Sequence, residues 1–104
     1  MAEVAKVNTI NVTHRKVATG TYTGDNTEDR QITNGFKCSL VYLSTEYKGW
    51  LITPDVAQEI SDSATISTLT GGTSLHATDG FIVYKTGDVT NQGAILHYYW
   101  AISE

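Results

Sequence analysis

Apolar residues in this chain recur in short alternating runs, and turn-forming residues interrupt the runs before any of them grows long. That pattern, with no sustained 3.6-residue period, predicts strands. Met1 to His14 alternate weakly, with Val4, Val7, Ile10 and Val12 among Asn, Thr and Lys, and read as an extended arm or edge strand over residues 1–14. Val17 to Thr23 alternates small and β-forming residues until Gly24-Asp25-Asn26 supplies a turn. Arg30 to Thr33 is a second short run, stopped by Asn34-Gly35. Phe36 to Ser44 is the first strongly apolar segment, and Leu40-Val41-Tyr42-Leu43 is apolar on both faces, as in a strand inside a sandwich. Trp50 to Thr53 follows a Lys48-Gly49 turn, so these two segments read as a hairpin, and Pro54 ends the second.

Asp55 to Ser63 is the one place where a helical turn is attractive, because Val56, Glu59 and Ile60 fall at helical spacing behind a Pro-Asp start. Ala64 to Leu69 is a Thr-rich strand ended by Gly71-Gly72, Ser74 to Thr78 a short edge piece, and Asp79-Gly80 turns the chain into Phe81 to Tyr84. Gly87-Asp88 and Asn91-Gln92-Gly93 bracket a further loop. The last segment, Ala94 to Ile102, puts Ala94, Leu96, Tyr98, Trp100 and Ile102 on one face. That face is wholly apolar and is expected to line the core, Trp100 included. About eight short segments spaced by turns predict an all-β chain. Residues 15–104 are expected to form one antiparallel β-sandwich or jelly-roll-like domain with at most one short helix.

Composition sharpens this picture. The chain has 104 residues and few charged ones, with Thr, Ser, Asn and Gly in excess, a balance that suits pleated surfaces and turns. A net charge of −4 argues against nucleic acid as a partner, since displacing phosphate counterions needs a positive face. No apolar stretch approaches the roughly 20 residues of a membrane-spanning helix, and the first residues show neither the basic nor the apolar part of a leader. No membrane partner is expected, and synthesis in a cytoplasm is. The single cysteine, Cys38, excludes an internal disulfide and reads as a buried strand residue.

Candidate chemistry is sparse. Ser74, His76 and Asp79 include the three residue types of an acyl-transfer triad, but they crowd into one turn and lack a nucleophile-elbow pattern. No catalytic residue is assigned. Asp25, Asn26, Glu28 and Asp29 form an oxygen-rich loop that could hold calcium, yet EF-hand spacing is absent and a solvated turn explains the same residues. His14, His76 and His97 show no short ligand spacing. Neither a metal nor a cofactor is expected. Aromatic residues offer more. Tyr47, Trp50 and Tyr99 could stack on sugar rings, and Tyr22, Tyr47 and Tyr99 could belong to an exposed contact surface.

Two stretches carry a resemblance. Thr19-Gly-Thr-Tyr-Thr-Gly-Asp-Asn-Thr-Glu-Asp-Arg-Gln-Ile-Thr-Asn-Gly-Phe36 is similar to the Gly-x-Tyr-x-Gly-x-Gly turn, Arg-x-Ile strand and Gly-Phe step that open small β domains of tailed-bacteriophage virion proteins. Asp79-Gly-Phe-Ile-Val83 and Gly93-Ala-Ile-Leu-His-Tyr-Tyr-Trp-Ala-Ile102 resemble their later Gly-Phe strand and closing aromatic strand. Lys37-Cys38 stands where a proline is usual and Asn26 where a second turn glycine is usual. The resemblance implies a non-enzymatic virion protein that works by contact. The first expectation is a capsid decoration or stabilising subunit, a homo-oligomer with a trimer favoured, whose Val4, Val7, Ile10 and Val12 reach a neighbouring subunit or the major capsid or tail proteins. The alternative is a tail or fibre module that binds bacterial surface carbohydrate through Tyr47, Trp50 and Tyr99.

Overall fold

The computed structural model describes residues 15–61, 63 and 65–104. The expected arm over residues 1–14 lies outside the described residues, and with it Val4, Val7, Ile10 and Val12. Among the described residues nine strands are seen: β1 (Val17–Thr23), β2 (Arg30–Ile32), β3 (Cys38–Ser44), β4 (Gly49–Ile52), β5 (Ala57–Ile60), β6 (Ile66–Thr68), β7 (Ser74–Leu75), β8 (Phe81–Val83) and β9 (Leu96–Ser103). They form a six-stranded sheet, β1-β9-β3-β4-β5-β6, and a three-stranded sheet, β2-β8-β7. Every pairing between these strands is antiparallel. The all-β, sandwich-like architecture expected from the alternation is therefore present.

The expected β3–β4 hairpin forms, with Val41 opposite Ile52 and Leu43 opposite Trp50. The helical turn expected over Asp55 to Ser63 does not form among the described residues. Pro54 and Asp55 instead occupy the bend of a second hairpin. Thr53 N–H donates to the Val56 carbonyl at 2.9 Å, and Val56 N–H donates to Thr53 Oγ1 at 3.2 Å. Proline presets the first central position of such a turn, and the chain returns as β5 with Ala57 opposite Ile52. Spacing over so few residues fits either period, and sheet pairing decided it.

Cys38 pairs with Ser103 but Leu40 pairs with Ile102, a register shift that marks a β-bulge. The bulge turns both Cys38 and Val41 into the core, where each is at most 1% exposed. Alternation then places Leu43, and Trp50 and Ile52 of β4, on the same inner face. The small sheet contributes Ile32, Phe81 and Val83 from above, and Tyr22 and Ala101 complete the centre. The phenol of Tyr22 donates to the Thr90 carbonyl at 2.6 Å, which ties the core to the 85–95 loop.

The strongest departure concerns β9. The apolar side expected to line the core faces outward, leaving Leu96, Tyr98 and Trp100 exposed. His97, Tyr99, Ala101 and Ser103 point inward. Register explains the choice. Tyr99 lies opposite Gly20 on β1, and its ring covers that glycine so closely that a Cβ there would sit 2.6 Å from the Tyr99 hydroxyl. At the next inward pair the His97 ring stacks on Tyr22 of β1 at 4.7 Å between centroids.

Candidate functional site

The outer face of the six-stranded sheet is built by strict alternation opposite the core. Cross-strand register lines up Thr19, Trp100, Tyr42, Leu51, Gln58 and Thr68 in one row. The next row runs Thr21, Tyr98, Ser44, Gly49, Ile60 and Ile66. Tyr98 is 54% exposed, Trp100 47%, Leu96 44% and Tyr42 39%. The Tyr42 ring lies across Gly49, whose Cβ would meet the phenol oxygen at 2.7 Å, so the glycine lets the aromatic lie flat on the sheet.

Among the described residues no outward strand position of this surface is charged. In all six strands Glu59 alone is charged, and it pairs with inward-facing Trp50. Its carboxylate accepts from Trp50 Nε1 at 3.3 Å and pairs with Lys48 Nζ at 3.2 Å. A one-sided antiparallel sheet facing water normally carries polar and charged side chains on that side. At one end the face runs into a shallow cleft of about 320 Å³ lined by Glu46, Ala94, Ile95, Leu96 and Tyr98.

Beneath the face the sheet is stiffened by stacked rings. His97 is fully buried, with Tyr22 at 4.7 Å between centroids on one side and Trp50 at 5.8 Å on the other. Nδ1 donates to the Ile95 carbonyl at 2.9 Å, while Nε2 has no hydrogen-bond partner. Burial holds the His97 pKa below the usual imidazole range, and the nearby Arg30 guanidinium acts in the same direction. His97, Trp50, Tyr47 and Lys48 border a cavity of about 30 Å³.

The acidic loop spends its carboxylates internally. Asp25 Oδ1 accepts from Thr27 N–H and hydroxyl and from Asn91 Nδ2. These bonds, Thr27 first, hold the Asp25 carboxyl down at about 2. Glu28 accepts from the N–H and hydroxyl of Thr86, and Asp29 accepts from the Tyr84 phenol. Asn91, itself fully buried, joins this loop to Arg30 through a 3.0 Å bond from the guanidinium. Among the described residues no three His, Cys, Asp or Glu side chains cluster as a metal site. The oxygen-rich loop is a locking device for the 85–95 segment.

The three triad-type residues are not wired together. Asp79 accepts from the N–H groups of Asn34 and Gly35, which holds its carboxyl below the usual range. His76 Nδ1 accepts from the N–H groups of Thr78 and Asp79. Both side chains brace turns. Cys38 is buried, with Asn34 Nδ2 donating to its sulfur at 3.0 Å, and burial pushes the thiol pKa up, away from nucleophilic character.

The aromatic residues proposed for sugar stacking are not brought to one surface. Tyr47 is 58% exposed beside the β3–β4 turn, but Trp50 is 1% exposed and Tyr99 packs edge-on against Phe81 at 5.4 Å. Tyr22, expected as a contact residue, is buried too. The exposed set is instead Tyr42, Leu96, Tyr98 and Trp100, which sequence reasoning had assigned to the interior or passed over. The missing signal was present as an absence of charge along five of the six strands. Neither protein-family models nor curated proteins nor solved structures match this chain.

Proposed function

We propose that this chain is a structural subunit of a tailed-bacteriophage virion, a capsid decoration or stabilising protein that acts through protein–protein contact. The observation that carries the reading is the uncharged aromatic outer face of the six-stranded sheet. An exposed apolar patch of this extent marks an interaction surface in a water-soluble protein. The sequence resemblance supplies the setting, a small β domain repeated on a particle, where many copies multiply weak contacts into firm attachment. In this reading Val4, Val7, Ile10 and Val12 contribute the contact with a neighbouring subunit or with the shell. The carbohydrate alternative loses Trp50 to the interior, has Tyr99 half-buried against the core, and retains Tyr47 alone as an exposed ring.

The test is the protein content of gradient-purified tailed particles from cells that encode the chain. The expected result is the chain at a stoichiometry tied to the shell, with occupancy falling when residues 2–14 are deleted and the domain stays folded. Particles that lack the chain would refute the proposal.

A further inference from the structure

We infer that the outer face of the six-stranded sheet pairs with the same face of a second copy of this chain, giving a twofold dimer as the building block. The inference rests on the contact reading above and names the partner of that face. Three observations point to a copy.

The first is size. Tyr98, Trp100, Leu96, Tyr42, Ile60 and Ile66 keep between 37% and 63% of their surfaces open. With aromatic side chains burying 150–250 Å² each, these six and their neighbours offer roughly 700 Å², close to the ~800 Å² each partner contributes to a stable interface. The apolar part of that area lies at the upper end of the roughly 300–600 Å² of the largest patch on an ordinary monomer.

The second is charge. The chain carries −4 overall, yet none of that charge lies on the outward positions of these strands. Pairing a surface with itself brings like side chains near like side chains, and a charged face would repel its copy. The strand positions of this face meet their copies without opposing charges, and the one carboxylate that borders it, Glu46, stands at its end in the β3–β4 turn.

The third is the rim. Thr19, Thr21, Ser44 and Thr68 flank the aromatic centre. Hydroxyls both donate and accept, so a hydroxyl rim satisfies an identical rim, which a purely anionic or cationic rim does not. An aromatic centre ringed by polar groups is also the usual anatomy of an interface. Two such sheets stack about 10 Å apart. A face paired with itself closes at two copies, so the block is a dimer in place of the trimer favoured from sequence.

The experiment is sedimentation velocity over a concentration series on the full chain, Trp100→Ala, Tyr98→Lys, and Lys85→Ala outside the six-stranded sheet. The expected result is a dimer whose dissociation constant rises about thirtyfold for each of the two tryptophans that Trp100→Ala removes, roughly a thousandfold in all. Tyr98→Lys should weaken it further by setting like charges against each other, and Lys85→Ala should leave it unchanged. Because Tyr98 and Trp100 point away from the core, far-ultraviolet circular dichroism and a cooperative thermal unfolding transition should be retained in both variants. A monomer at about 100 μM, well above the Kd of a stable interface, overturns the inference. So does a trimer, or a dimer indifferent to both face substitutions. Particle content measured in parallel separates the two claims. A monomer found on particles refutes the dimer and leaves the virion reading, whereas a face-dependent dimer absent from particles refutes that reading and leaves the dimer.

Discussion

The two faces of β9 divide their side chains against the usual rule. Inward stand His97, Tyr99, Ala101 and Ser103, and outward stand Leu96, Tyr98, Trp100 and Ile102. The inner set is the more polar, yet it is the buried one. Its polar atoms are provided for: Ser103 Oγ accepts from Lys16 N–H at 2.8 Å, and His97 Nδ1 donates to Ile95. What lies opposite a strand decides which face is covered. Hydropathy of the strand alone does not. Tyr99 has Gly20 beside it and Phe81 above it, whereas no segment among the described residues lies over Trp100.

The comparison breaks most visibly at Phe81, which is fully buried between Tyr22 and Tyr99. Phe81→Ala should cost about 3–5 kcal/mol by urea unfolding, through lost burial and the cavity left behind. A smaller effect is expected at His97. Its folded pKa lies below the unfolded value because burial opposes the charged ring. The unfolded chain therefore binds the proton more readily. The contribution of neutral His97 is complete above the unfolded pKa near 6.5 and is lost as pH falls from there toward the depressed folded value, with a slope no steeper than about 1.4 kcal/mol per pH unit. Thermal unfolding of the chain and of His97→Phe between neutral and mildly acidic pH should show this decline in the first and a flatter curve in the second. The smallest effect belongs to the other face. Trp100→Ala should shift the unfolding free energy of the dilute monomer by no more than about 0.5 kcal/mol, as surface substitutions do, and a much larger loss would mean that the face is part of the core.

Local chemistry made much of the fold legible. Asn34-Gly35, Lys48-Gly49 and Asp79-Gly80 punctuate the chain between runs, and the apolar runs Phe36 to Ser44 and Trp50 to Thr53 on either side of Lys48-Gly49 mark the central hairpin. Three features stayed hidden because each depends on a partner distant in sequence. Ala57 to Ile60 is a strand because Ile52 and Thr68 flank it in the sheet, while Val56, Glu59 and Ile60 by themselves fit a helical turn. The bulge after Cys38 cannot be read from residues that are apolar on both faces. The orientation of β9 goes with its register against β1, where Gly20 and Tyr22 lie opposite Tyr99 and His97, a pairing that turn signals do not reveal. The outer aromatic face stays hidden for the same reason, since hydropathy alone points its side chains to the interior.

Placing the chain's two tryptophans on opposite sides of one sheet gives each face its own optical reporter. Trp50 is sealed against the His97 ring, so its emission should be blue-shifted, dim when that imidazole gains a proton, and resist acrylamide until the domain opens. Trp100 stands in solvent, so its emission should be red-shifted and freely quenched until something covers it. A single fluorescence titration thus follows unfolding and docking as separable colours, without a label attached to either surface.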